Sequence, residues 1–243
     1  PMPTPPICPG DPTEPTEPAP TEPAPTEPEP SEPTPTEPQP SEPGEKPFEE
    51  KYPGMAAWAK EELKPMDEDN LIPSILEGRN MGSNITRKEA CYIATTAFFA
   101  IYPDFAPEKM DSPFTDVDDT IITTAYYLGI INGYPGGIFK PDDPITREQF
   151  FSIIGNFLMV VEFNRIDDTT VDLTTFSDGH LVQEYAKPAT RLLYSMGIVK
   201  GSGGKLEPRA HTQCQQALAM FYRTYLYYQR WVDNSQNEHE NGE

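Results

Sequence analysis

From residue 48 onward the apolar positions fall into helical spacing. Phe150, Ile153, Ile154, Phe157, Leu158 and Val161 recur at i, i+3, i+4, i+7, i+8 and i+11, the stripe that one face of an α-helix buries. Ala217, Met220, Phe221, Tyr225 and Tyr228 form a second stripe. No stretch reads as a clear long strand. The pattern also repeats on a larger scale, as a helical stretch, a Gly or Asn stop, a loop and a second helix. In one segment these are FTDVDDTIITTAYYLG (114–129), IINGYPGGIFKPDDP (130–144) and ITREQFFSIIGNFLMVVEF (145–163). In the next they are FSDGHLVQEYAKPATRLLYSMG (176–197), IVKGSGGKLEPRAH (198–211) and TQCQQALAMFYRTYLYYQRW (212–231).

A more divergent copy comes first. Its leading helix is AAWAKEELKPMDEDN, and Asn70 stands where Gly129 and Gly197 stand. Asn is the second-best residue for the left-handed position after a helix. Trp58 precedes Asn70 by twelve residues, as Tyr185 precedes Gly197 and Val117 precedes Gly129. The first loop, LIPSILEGRNMGSN, lacks the Gly-Tyr-Pro-Gly turn. The spacing predicts a mostly α fold of three helix–loop–helix units, over 48–110, 111–172 and 173–232, followed by a polar tail, 233–243. One unit alone buries little, so the three are expected to share a core.

Composition sets residues 1–47 apart. Nineteen of the 30 prolines fall in residues 1–50, and the first aromatic residue is Phe48. Repeated Thr-Glu-Pro and Ser-Glu-Pro cannot bury enough surface to offset ordering entropy. They predict a disordered, polyproline-II-like linker, extended by glutamate repulsion at about 3.1 Å per residue. Its Thr and Ser are candidate O-glycosylation sites. The chain starts inside this linker, at Pro1, as a fragment of a longer protein would. Its net charge of −21 argues against a nucleic-acid partner. No run is long and apolar enough for a membrane span, and no signal peptide is present in this piece.

The chemistry concentrates where each second helix begins. Ile-Thr-Arg occurs at 85–87 and 145–147, followed by an acid or amide at Glu89 and Gln149. Thr86 with Glu89, and Thr146 with Gln149, form capping boxes. Capping does not account for Arg87 and Arg147, since a cation in the first turn opposes the helix dipole. One reading pairs each arginine with a nearby acid. The other is an anion site, where free N–H groups, the positive helix end and a guanidinium converge on a carboxylate or phosphate.

The order Phe-x-Asp, Gly-Ile-Ile-x-Gly-Tyr-Pro-x-Gly-x-Phe-x-Pro, Ile-Thr-Arg-x-Glu/Gln resembles the S-layer homology module of bacterial surface proteins. The resemblance is closest in 114–160, good in 176–225 and weaker in 48–100. The linker also resembles those of exported proteins, including cellulosome scaffolds. The resemblance implies three modules in a pseudo-threefold helical bundle. It implies a non-enzymatic anchor at the cell surface that binds secondary cell-wall polysaccharide, often bearing pyruvylated N-acetylmannosamine, without cofactor or metal. Peptidoglycan-linked glycan and surface-layer proteins are further candidate partners, and the chain is expected to be monomeric. By position, carbohydrate binding in grooves between units carries over to Arg87 and Arg147. The third unit departs from the motif. Aligned from Pro141 onto Pro208, Arg147 falls on Cys214; shifted by one, with Thr212 as cap and Gln215 as its partner, Gln213 takes that place. Neither register supplies an arginine. Arg209 is a candidate substitute, and two well-formed sites are expected at most.

Other residues read both ways. Trp58 either stacks on a sugar face or fills the core. Tyr134 is a candidate ligand contact in the turn that Pro135-Gly136 suits. Gly133 and Gly136 permit close approach of a ligand, and turn geometry explains them equally well. A calcium loop counted from Asp116 fails, because its sixth and twelfth positions are Ile121 and Tyr127. Cys8, Cys91 and Cys214 and the scattered histidines show no metal spacing. No motif of nucleophilic catalysis stands out. Two rival functions remain: a protein–protein assembly module of a surface layer or cellulosome, and a wall hydrolase.

Overall fold

The computed structural model describes residues 46–107, 109–163 and 171–240; Cys8 and nearly all of the predicted linker lie outside them. Seven α-helices occur among the described residues: α1 (Phe48–Lys51), α2 (Ala57–Glu68), α3 (Arg87–Ile101), α4 (Thr120–Tyr127), α5 (Arg147–Val160), α6 (Lys187–Ser195) and α7 (Cys214–Glu240). Their boundaries follow local chemistry. Thr86 with Glu89 and Thr146 with Gln149 form complete capping boxes on α3 and α5. Asp119 caps α4 by accepting the Ile121 and Ile122 N–H groups. The stops are left-handed residues: Asn70 (φ 56°), Gly129 (84°) and Gly197 (70°). In each case the next residue's N–H bonds back to a carbonyl of the last turn, Leu71 to Met66, Ile130 to Ala125 and Ile198 to Leu193. The first unit therefore ends its leading helix as the others do, with Asn replacing Gly.

The capped helices α3, α5 and α7 pack on one another at the centre. Each also carries the leading helix of the following unit, α4 on α3, α6 on α5 and α2 on α7, so the last unit closes on the first. The interior is aromatic and aliphatic; Phe157 meets Phe221 edge-on at 4.8 Å, and Phe150 and Leu218 are fully enclosed.

Three residues preceding the caps form a closed ring of backbone hydrogen bonds. Ile85 N–H donates to Thr212 C=O (2.9 Å), Thr212 N–H to Ile145 C=O (3.1 Å) and Ile145 N–H to Ile85 C=O (3.1 Å). This is the pseudo-threefold axis. A second tier repeats around it. The first helical N–H of each central helix donates into the neighbouring loop, Arg87 to Asp143 O, Arg147 to Ala210 O and Cys214 to Ser83 O. The second does likewise, Lys88 to Pro141 O, Glu148 to Pro208 O and Gln215 to Met81 O. Donors that an isolated helix leaves orphaned thus join the units.

The ring settles the register of the third unit. Thr212 occupies the place of Ile85 and Ile145, so Gln213 is the cap position and Cys214 the arginine position. Gln216 Oε1 accepts the Gln213 N–H (3.3 Å), as Gln149 Oε1 accepts that of Thr146 (3.0 Å). The alternative register with Thr212 as cap does not occur.

Three extents differ from those predicted; of the leading stretch 114–129 only Thr120–Tyr127 is helical. The leading stretch 176–197 is not one helix; short 3-10 turns precede α6, which starts at Lys187 with Pro188 in its first turn. A Cβ at Gly179 would lie 1.9 Å from Leu173 O, so the chain turns there. Helix α7 runs beyond 232 to Glu240, so most of the predicted polar tail is helical. Trp231, packed on Phe163 at 5.2 Å, ties this extension to the body.

Candidate functional site

Two grooves lie at junctions between units, and their linings correspond position by position. The first, a cavity of about 270 Å³, lies between Arg87, the loop Ile130–Gly133, the α5 face of Gln149, Ser152, Ile153 and Asn156, and Tyr185. The second, about 180 Å³, lies between Arg147, the loop Ile198–Gly201, the α7 face of Gln216, Ala219, Met220 and Arg223, and Trp58. Each groove takes its arginine from one unit, its loop and helix face from the next, and its aromatic residue from the third. The aromatics are exposed, Tyr185 by 57% and Trp58 by 46%. Trp58 is therefore a groove wall and not a core residue.

The arginines reach across the junction. Arg87 Nε donates to Phe139 O (2.8 Å) and its Nη2 to Asn132 O (3.1 Å). Arg147 Nε donates to Leu206 O (2.9 Å), the corresponding carbonyl. Each arginine thus bonds to a carbonyl of the neighbouring unit, which offsets part of the cost of a cation placed against the helix dipole. The Arg87 guanidinium also lies over the Tyr134 and Phe139 rings, at 4.6 and 4.9 Å. Burial lowers the Arg147 pKa, opposed by the nearby charges of Glu207 and Asp178.

The expected anion site needs correcting in one respect. The first two N–H groups of each helix are engaged by loop carbonyls, and the third, on Glu89 or Gln149, by the cap hydroxyl. The helix ends offer no free donors. What remains toward each groove is the outer edge of the guanidinium, the neighbouring amides and the aromatic wall.

The Phe-x-Asp motifs supply the loops' scaffold. Asp116 accepts the Phe139 and Lys140 N–H groups (2.8 and 2.7 Å), and Asp178 accepts those of Leu206 and Glu207 (both 2.8 Å). The Phe139 N–H first, and then the Lys140 N–H, hold the Asp116 carboxyl below its usual value. Around Asp178 burial acts upward, and the Leu206 and Glu207 N–H groups outweigh it. These contacts hold Lys140 (φ 61°) and Glu207 (φ 53°) left-handed next to the carbonyls that the arginines use.

The glycines separate into two roles. A Cβ at Gly133 would meet Phe114 at 2.4 Å, and one at its counterpart Gly201 would meet Phe176 at 2.6 Å. Both glycines let the loop lie against the motif Phe. Gly136 sits at φ 86° in the turn, outside the lining, so turn geometry is its reason. Tyr134 lines the first groove beneath Arg87, and its hydroxyl accepts from Gln149 Nε2 (3.4 Å). Its counterpart in the shorter third loop is Ser202.

At the third junction Cys214 replaces arginine, Pro73 and Ser74 replace the Asn-Gly and Lys-Gly steps, and Val117 stands at the aromatic position. Glu89, at the place of Gln149 and Gln216, is buried against Arg79, with Nε and Oε1 2.6 Å apart. Burial pushes the Cys214 thiol up, leaving it a packed, un-ionised group. Arg209 does not substitute, because its neighbours Pro208 and Ala210 receive the α5 N-terminus, at the second junction. The sequence reading missed Tyr185, Asn156, Lys200, Gln216 and Arg223. The twelve-residue spacing shared with Trp58 was the available signal for Tyr185.

Among the described residues no group of three or more His, Cys, Asp or Glu could hold a metal ion. Among them, too, no helix is long and apolar enough to cross a membrane.

Three helix–loop–helix units closed by a backbone ring, with grooves at their junctions, define a helical repeat module. Residues 113–151 match the family model of the S-layer homology domain, so the chain carries one such module there. It is 32% identical over 151 residues to cell surface glycoprotein 1 of Acetivibrio thermocellus, covering 58% of this chain and 6% of that protein. It is 28% identical over 150 residues to the cellulosome-anchoring protein of the same organism (58% and 32% of the two chains). A third relative is an amylopullulanase of Thermoanaerobacterium thermosulfurigenes, 24% identical over 173 residues (68% and 9%). The chain thus spans less than a third of the length of each of these curated relatives.

Proposed function

We propose that this chain anchors a bacterial cell-surface protein to the wall by binding secondary cell-wall polysaccharide in its two grooves. The observation that carries the reading is their correspondence: an arginine, an aromatic wall and a glycine-shaped loop recur in two places. Aromatic faces and amide-rich edges suit sugar rings, and a guanidinium suits a carboxylate such as a ketal-linked pyruvate. The size of each cavity suits one sugar unit rather than a long chain lying in a cleft. The matched family and the names of two relatives, a cell surface glycoprotein and a cellulosome-anchoring protein, support a surface-anchoring role. The match to an amylopullulanase covers 9% of that protein and assigns no catalysis to this chain.

In this reading all three units are S-layer homology modules, over 48–110, 111–172 and 173–232, the third junction being structural. The carbohydrate contacts are Arg87 and Tyr134 in the first groove and Arg147 and Trp58 in the second. Thr86, Glu89, Thr146 and Gln149 hold the helix starts. The test is co-sedimentation with purified wall sacculi and with the released polysaccharide, with and without its pyruvyl groups. Binding that survives removal of the polysaccharide would favour docking on wall or surface-layer protein instead.

A further inference from the structure

Each groove's aromatic wall comes from a segment that crosses the junction, and one side chain fixes that segment in both places. Glu148 Oε2 accepts the Gln183 N–H at 2.9 Å, two residues before Tyr185. Gln215 Oε1 accepts the Ala56 N–H at 2.9 Å, two residues before Trp58. Both acceptors sit one residue after the arginine position of a capped helix, and both side chains are buried, at 6% exposure. Ala56 and Gln183 each stand immediately before a helical turn, and neither caps that turn with its own side chain. The acceptor comes instead from another unit. Burial first, and then the nearby Glu148 carboxylate, push the Tyr185 pKa up to about 12.

We propose that Glu148 and Gln215 are positioning residues for carbohydrate binding, which set the aromatic walls Tyr185 and Trp58 against their grooves. The inference rests on the groove reading above. The third junction supplies an internal contrast. There the same position is Lys88, whose Nζ pairs with Asp119 Oδ2 at 2.9 Å, and Val117 stands in place of the aromatic. Docking the leading segment is therefore common to all three junctions. An acceptor for the N–H two residues ahead of the aromatic occurs at the two where an aromatic wall exists. A glutamate serves in one and a glutamine in the other, so the shared requirement is an oxygen acceptor at that reach, not a charge.

The test has two arms. In the first, Trp231→Phe leaves Trp58 as the only tryptophan, and acrylamide quenching is measured on the free protein. Gln215→Ala is expected to raise the Trp58 quenching constant at least twofold, and Gln215→Glu to leave it unchanged. If Gln215→Ala does not fold, Gln215→Met keeps the volume without the acceptor and carries the same expectation. Unchanged quenching in a folded variant that lacks the acceptor overturns the positioning role, whatever the ligand. In the second arm calorimetry uses released wall polysaccharide in a Trp58→Ala background, which isolates the first groove. Glu148→Ala is expected to weaken binding about as much as Tyr185→Ala, and Glu148→Gln to restore it. Lost binding with Tyr185→Ala and full binding with Glu148→Ala overturns the positioning role alone. Full binding with both Tyr185→Ala and the Trp58→Ala background overturns the groove reading instead, and the quenching arm still decides the first question.

Discussion

Arg147→Ala separates the structural and the binding roles of the motif arginine. The substitution removes the Nε donor to Leu206 O (2.9 Å) and the packing of the guanidinium over Phe151 (5.5 Å). A hydrogen bond to a charged group is worth about 1.5–3 kcal/mol. Taking a cation away from a helix N-terminus returns roughly 0.3–1 kcal/mol. The net cost is then about 1–2 kcal/mol, from the middle of the two ranges. For a folded body of this size each kcal/mol moves Tm by about 2–4 °C, so the expected fall is roughly 2–8 °C. The helical circular dichroism spectrum should not change, since Thr146 and Gln149 still start α5. Binding should change more. Losing one charge-assisted contact to a sugar carboxylate costs about 1.5–3 kcal/mol, or roughly 10–150-fold in affinity at the second groove. The first groove, with Arg87, remains, so sedimentation with sacculi should weaken but persist. The double variant Arg87→Ala/Arg147→Ala should lose it. A double variant that is folded by circular dichroism and sediments with sacculi like the wild type would refute the site assignment.

Three further outcomes test the fold. Gly155 packs against α6, and a Cβ there would lie 2.6 Å from Ala189 Cβ; Gly155→Ala should destabilise by about 1–3 kcal/mol in urea titration, and an unchanged midpoint would show that α5 and α6 can separate at no cost. Asp116, Asp178, Asp119 and Asp172 all have depressed carboxyl pKa values in the fold. Their stabilisation is therefore complete above the unfolded value near ~3.9 and is lost as pH falls through the lower folded values; Tm should hold from pH 7 to about 5 and drop below about 4, and a Tm that rises on acidification would contradict the sign. A chain beginning at Asn84 lacks α2, which covers α7, and the Met81 and Ser83 carbonyls that receive the α7 N-terminus; it should show no cooperative thermal transition, and a sharp one would mean that two units suffice.

Much of the fold was legible because its signals are local. The capping boxes, the left-handed stops including Asn70, and the apolar stripes of α5 and α7 are each written within a dozen residues. The leading stretch of the third unit was not, since its turns depend on Leu173 O lying against Gly179, a contact no periodicity encodes. The site was half legible. Arg87 and Arg147 stood out as cations against a dipole, but their partners, Phe139 O and Leu206 O, lie 52 and 59 residues away. Carbonyl oxygens leave no mark in a sequence. The aromatic walls come from a third unit, so only the repeat spacing linked Trp58 to Tyr185. The free helix-end donors were expected from a helix considered alone, and the neighbouring loops removed them.

The same closure explains why one junction could drift while two kept their grooves. The ring and its second tier use backbone groups only, so they constrain side chains little beyond the loop geometry. At the third junction Thr212 holds the ring with no arginine beside it, and Gln213 with Gln216 keeps half of the capping box. Arg79, on the opposing loop, turns toward Glu89 and Asn84 O and puts a cation near the place left by the missing helix arginine. Closing the bundle therefore does not require the motif arginine. Under the proposed function, its presence at the other two junctions, each time with an aromatic residue across the groove, serves a ligand as well as the carbonyl contact.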